Sequence, residues 1–158
     1  MHWKNLANYD YLGAYSLDGV TEEVTLTIKD IKRQMVTGPG GQSEMCTIAH
    51  FEEKEANGVV VKPMVLNVTN CKMLEFLYNT PHIEKWVGKR FTVHAAETKM
   101  GREIVPCLRV KNEKVDTCSI CGEVIAKKIY DYSLPKYGRA ICSKECAEKI
   151  KDENKGEE

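Results

Sequence analysis

The chain has 158 residues, 42% hydrophobic and 29% charged, which suits one ordinary folded domain with a small appendage. Its 23 basic and 23 acidic side chains cancel to a formal net charge of zero, which argues against a bulk positive field that grips duplex DNA, though not against a local basic groove. No run approaches the ~18 consecutive apolar residues of a membrane span, and MHWKNLANYDYLGAY lacks the basic-then-apolar order of a signal peptide, so the expected setting is intracellular and reducing, with no membrane partner.

Residues 21 to 36, TEEVTLTIKDIKRQMV, alternate apolar and polar side chains and predict a strand with one buried face. The alternation slips where Ile31 follows Ile28 by three, and a bulge or bend there would restore the phase. TGPGGQS (37 to 43) is a loop, EMCTIAHF (44 to 51) the returning strand, EEKEANGVVVK a charged, glycine-containing connection, and PMVLNV (63 to 68) a third strand. Thr69 or Asn70 is then placed to cap a helix carrying Met73, Leu74, Leu77 and Tyr78 on one face, ended by Pro81. HIEKWVG adds a short helical turn that stops at Gly88. KRFTVHAAE (89 to 97) is a fourth strand, TKMGR (98 to 102) a basic turn, and EIVPCLRVK (103 to 111) a fifth strand, where Pro106 suggests an edge or a bulge.

Three strands, one helix and two strands is the layout of the OB-fold, a small five-stranded Greek-key barrel with its helix between strands 3 and 4. Another small α+β arrangement is the alternative. The fold class is therefore read as mainly β, with residues 1–114 as the barrel domain. VTLTIKDIK, MVLNVTNCKMLEFLY and WVGKRFTVHA, in that order, resemble a group of small phage-encoded OB-like proteins of the single-stranded DNA-binding type. The resemblance spans roughly residues 3 to 111 and implies a role in phage DNA replication or recombination, in the cytoplasm of a bacterial host. It carries no catalytic residue with it. Asn67, Thr69, Asn70 and Lys89 match its pattern and read first as capping and turn residues.

Four of the seven cysteines fall in the last quarter, as a C-x2-C (Cys118, Cys121) and a C-x3-C (Cys142, Cys146) separated by twenty residues. In a reducing setting such pairs point to metal, and four soft ligands suit one tetrahedral Zn2+. A turn at Gly122, a hairpin through VIAKKIY and GRAI, and a helix from SKECAEKIK would make residues 115–151 a treble-clef-like zinc finger with four cysteine ligands, followed by an acidic, disordered tail at 152–158. Disulfides or an iron–sulfur cluster are the remaining readings of the spacing. With all four positions filled by thiolates, and neither a deaminase motif nor a tail histidine, the zinc is expected to be structural. Cys46, Cys71 and Cys107 stand alone and read as packing residues.

An OB barrel holds a single strand in a groove framed by the loops after its first and fourth strands. Those loops are TGPGGQS, entered from KRQM, and TKMGR, so Lys32, Arg33, Lys99 and Arg102 are expected to flank one groove and neutralise phosphates; plain solvation is the bland explanation. Tyr15, Phe51, Trp86, Tyr130, Tyr132, Tyr137 and Trp3 are candidates to stack on bases, against which stands core packing for Phe51 and Trp86 and cover of the finger core for its tyrosines. YDYSLPKYGR adds Lys136 and Arg139 among three tyrosines, an interleaving that suits nucleic acid and almost equally a protein. The reading that follows is a non-catalytic binder of single-stranded DNA (or RNA), an accessory to phage replication or recombination proteins. The alternative is a phage protein-interaction module that binds a host or phage protein around the same structural zinc. No enzyme is expected: there is no carboxylate pair or nucleophile–base set, GPGG lacks the G-K-[ST] of a phosphate loop, and His50 and His94 are solitary.

Overall fold

The computed structural model describes residues 10–37 and 41–155, so Trp3, the middle of the TGPGGQS loop and the last three residues lie outside the described residues. Its organising element is β1 (Glu23–Thr37), which is long enough to serve two ladders. The stretch from Glu23 to Thr27 pairs antiparallel with β6 (Arg90–Met100), and Ile28 to Thr37 pairs antiparallel with β2 (Ser43–Phe51). The register shifts between Ile28 and Asp30, leaving Lys29 as the extra residue. This is the bulge that the slipped alternation predicts: Val24, Leu26 and Ile28 are buried, and Ile31 again packs against the core.

β5 (Met64–Leu66) lies beside β2 and β7 (Glu103–Val110) beside β6, giving one five-stranded antiparallel sheet in the order β5-β2-β1-β6-β7. Pro106 sits on the edge strand β7, where its missing N–H costs nothing. The expected barrel is corrected in its closure and its element order. β5 and β7 do not pair, so the sheet is open. Between β2 and β5 the chain also makes a small hairpin, β3 (Glu55–Ala56) with β4 (Val59–Val60), so the main helix follows the fifth strand and not the third. A short helix, α1 (Ala14–Leu17), precedes β1 and buries Leu17 in the core.

The sheet stays open because β5 is only three residues long and the chain turns at once into α2 (Val68–Tyr78). Asn67, rather than Thr69 or Asn70, caps this helix, its Oδ1 accepting from Asn70 N at 2.9 Å. Asn70 is freed for another task. Its buried side chain lies on the edge of β7, Nδ2 donating to Leu108 O at 3.0 Å and Oδ1 accepting from Val110 N at 3.1 Å. A side-chain amide thus takes the place of a neighbouring strand and satisfies backbone groups that burial would otherwise orphan. α2 also sends Leu74, Leu77 and Tyr78 into the core that Phe91, Leu26 and Met64 fill from the strands.

A 3-10 turn, Ile83–Lys85, leads from α2 to β6. After β7 the C-terminal segment forms α3 (Lys127–Tyr137) and α4 (Lys144–Lys155) around its own cluster of buried residues, including Cys118, Ile125, Ile141 and Cys146. α4 continues through residues 152–155, where composition alone predicts a disordered tail; the run KECAEKIKDENK is made largely of good helix formers. Among the described residues no helix is long and apolar enough to cross a membrane.

Candidate functional site

Cys118, Cys121, Cys142 and Cys146 converge, all four Sγ atoms lying within 4.8 Å of one another. Cys121 and Cys142 are 3.6 Å apart, and Cys142 and Cys146 3.4 Å. Sulfurs about 2.3 Å from a central tetrahedral ion stand ~3.8 Å from each other, so these separations match four ligands of one metal ion. Burial works against the Cys118 thiolate, but the backbone N–H groups of Cys121, Ile120 and Cys142 outweigh it and bring that thiol down to about 6. Burial is the largest influence raising the Cys142 thiol, and the sulfurs of Cys146 and Cys118 add to it against the hydrogen bonds of Ser143 and Cys121. The other two thiols are also raised, Cys121 against its hydrogen bond from Glu123 and Cys146 against that from Cys142, as burial and the remaining sulfurs oppose a second negative charge. A bound cation would supply the charge that lets all four ionise.

Local sequence explains each half of the site. Gly122 takes φ 76°, a left-handed conformation that turns the chain so that its N–H donates to Cys118 O at 3.0 Å. Cys142 precedes α4 and Cys146 lies in its first turn, one helical turn apart on the same side. What joins the halves differs from the expected hairpin: the segment folds as α3, and only an isolated bridge, Thr117 with Val124, remains of any β pairing. Pro135 falls in the last turn of α3, which ends at Gly138 with φ 76°. Two serines that sequence reasoning passed over hold the halves together. Ser133 Oγ, buried, accepts from Ile141 N at 2.9 Å, and both Ser119 N and Ser119 Oγ donate to Ala140 O at 2.9 Å, setting the approach to Cys142. Ser133 is buried and Ser119 exposed, so no shared burial pattern marks the two.

The finger is docked on the sheet domain. Asp116 receives both Arg90 Nε (2.5 Å) and Nη2 (2.6 Å) in a bidentate pair, with the carboxylate 5% and the guanidinium 25% exposed. That hydrogen-bonded carboxylate raises the pKa of Arg90 further. Lys127 N donates to Gly88 O at 2.8 Å, and Val124 from the finger side is part of the sheet domain's core.

The expected nucleic-acid contacts separate into three groups. Lys32 and Arg33 lie on the exposed distal part of β1, and Lys99 and Arg102 at the tip of the β6–β7 hairpin. The expected single groove flanked by all four is corrected: the registers send the β1–β2 and β6–β7 hairpins toward opposite ends of β1, with the bulge at Lys29 between them. Lys32 pairs with Asp30 at 3.8 Å, whereas among the described residues Arg33, Lys99 and Arg102 take part in no ion pair. Trp86 is corrected to a core residue: it is 2% exposed, its Nε1 donates to Thr80 O at 2.8 Å, and its ring meets Tyr78 edge-on. Phe51 is likewise packed against the core, edge-on to Phe91 at 5.8 Å, and is not presented for stacking.

In the finger, Tyr130 and Tyr137 pack on the cysteine-containing cluster, while Tyr132 is 63% exposed. The Lys136 ammonium lies 5.0 Å over the Tyr132 ring and 5.4 Å over that of Tyr137, so one basic-aromatic group of the YDYSLPKYGR stretch is surface-facing. Arg139 and Tyr15 are half-buried. Cys46, Cys71 and Cys107 lie apart from the cluster, half-buried on β2, α2 and β7. No protein-family model, no curated protein and no solved structure matches this chain.

Proposed function

We propose that the protein is a non-catalytic single-stranded DNA-binding accessory factor of phage replication or recombination. In this reading its open sheet is an OB-like body and one structural Zn2+ clamps its finger. Zinc suits the cluster because four thiolates complete a tetrahedron and leave no position for a reacting water. The observation that carries the binding function is the solvent-facing basic side chains within the β1–β2 ladder (Lys32, Arg33) and at the β6–β7 tip (Lys99, Arg102), three of the four without an ion-pair partner among the described residues. The two basic groups lie toward opposite ends of β1 and offer phosphates separate contacts, while zero net charge keeps duplex DNA from being held indiscriminately.

The test is charge reversal at one tip. Lys99→Glu with Arg102→Glu is expected to weaken binding of a labelled oligothymidine without lowering the melting temperature, since both side chains are exposed. Unchanged affinity would contradict the reading. A second reading, a module that docks on another protein, draws on the exposed Met35, Met45 and Ile104 on the same hairpins. It predicts no oligonucleotide binding even at low salt.

A further inference from the structure

α2 leaves Val68 exposed at its first residue, and near its other end it carries an aromatic that its packing does not explain. The helix buries Leu74, Leu77 and Tyr78, yet Phe76, on the opposite side, is 67% exposed. A phenyl ring normally contributes its large area to a core, and leaving it in water on a face otherwise occupied by Lys72, Glu75 and Asn79 costs hydrophobic free energy. The ring does not stand on a convex surface. It lines an open concavity of about 670 Å³ where the C-terminal end of α2 meets the chain leading into the finger.

The surroundings decide what chemistry fits. Lys72 stands one helical turn before Phe76, and Lys114 lines the facing side, its Nζ 3.4 Å from Gly122 O. Two carboxylates, Glu75 and Glu123, also line the concavity, so its charge is balanced and the two ammonium groups are what it offers a phosphate. Asn79 and Thr80 add an exposed amide and a hydroxyl-bearing backbone turn. Only Pro81 joins Phe76 as an apolar wall. An aliphatic or aromatic anchor from a protein seeks a pocket with apolar walls, which this is not. A nucleobase needs one flat apolar face, polar groups at its rim and ammonium groups for its phosphates.

We infer that Phe76, with Lys72 and Lys114, forms a base-stacking site for one nucleotide of a single strand, at the seam between the sheet domain and the finger. The inference rests on the single-strand-binding reading and names a contact separate from the hairpin tips. It also gives the docked finger a use, since Lys114 is placed by the segment that Arg90 and Asp116 fix.

The test is fluorescence anisotropy of a labelled oligothymidine with the zinc-loaded full chain at ~50 mM salt, comparing wild type with Phe76→Ala, Phe76→Leu and Phe76→Tyr. Stacking predicts that the Ala and Leu variants lose roughly 5- to 150-fold in affinity, the range carried by one base–aromatic stack, while the Tyr variant stays within about twofold. Thermal melts of all three should match wild type, because the ring is exposed. Wild-type binding with Ala and Leu variants unchanged would overturn the stacking site and leave the hairpin-tip reading standing. Loss with Ala but not Leu would also overturn it, as apolar bulk alone would suffice. No binding by wild type would overturn both readings and leave Phe76 to a protein partner.

Discussion

Asn70→Ala should be among the most damaging single substitutions outside the apolar core. It removes two hydrogen bonds, of 3.0 and 3.1 Å, and strands Leu108 C=O and Val110 N–H at a buried sheet edge. An orphaned buried backbone group costs ~1–3 kcal/mol, so two give about 2–6 kcal/mol, with ~4 as a central figure. Against a total stability of roughly 5–15 kcal/mol, that is a large fraction. Asn70→Leu refills the volume without restoring either bond, so comparing it with Asn70→Ala separates the polar loss from the cavity. Asn70→Asp keeps an acceptor for Val110 N but turns its other oxygen toward Leu108 O, a clash that only a protonated acid relieves. The variant acid is then held protonated in the fold, its folded pKa above the unfolded one. Its stability relative to wild type is therefore best in acid and lost as pH rises through the folded value. Urea unfolding at constant m-value reads all three. If Asn70→Ala cost less than ~1 kcal/mol, water would be reaching the β7 edge freely, and the amide would not be what completes the open sheet.

Two further substitutions and one extraction probe the remaining supports. Asp116→Asn tolerates the left-handed backbone at this position, φ 58°, and so isolates the ion pair with Arg90. Losing one partner of a fully buried pair costs ~3–5 kcal/mol. Because Arg90 is one-quarter exposed, screening lowers this to about 2 kcal/mol, a fall of roughly 4–8 °C in Tm by calorimetry; an unchanged Tm would mean that Val124 packing and the Lys127 N–Gly88 O hydrogen bond hold the finger without the ion pair. Elemental analysis of freshly purified, reduced protein should find one zinc per chain, and chelation should unfold the finger before the sheet; zero zinc, or no spectroscopic change on chelation, would dismiss the metal. Ser133→Ala should weaken zinc retention against a competing chelator several-fold, since it frees Ile141 N next to Cys142, and equal retention would count against that positioning role.

The features legible in the sequence were those with a local cause. The three-residue step from Ile28 to Ile31 located the bulge in β1, Pro106 marked an edge strand, and the two cysteine pairs gave the cluster outright. Asn57–Gly58 was legible too, although EEKEANGVVVK reads at first as a plain connection. Both residues take positive φ, 51° and 82°, as a tight two-residue hairpin turn requires, and they make the β3–β4 hairpin. α3 stands where a hairpin through VIAKKIY is expected, and Pro135 costs little in its final turn. Trp86 and Phe51 illustrate a limit of type-based reading, because an aromatic that suits stacking suits a core equally, and only their neighbours decide. The open sheet depends on Asn70 meeting residues 38 and 40 positions away, a contact that no local pattern encodes.

The most direct measurement is the affinity of the zinc-loaded wild-type chain for a labelled oligothymidine across a series of salt concentrations. Binding that weakens log-linearly is predicted, with a slope of about −2.8 if Lys32, Arg33, Lys99 and Arg102 each neutralise one phosphate, falling by about 1.4 in the Lys99→Glu, Arg102→Glu variant. No detectable binding at ~50 mM salt, or binding indifferent to salt, would contradict a single-strand-binding function.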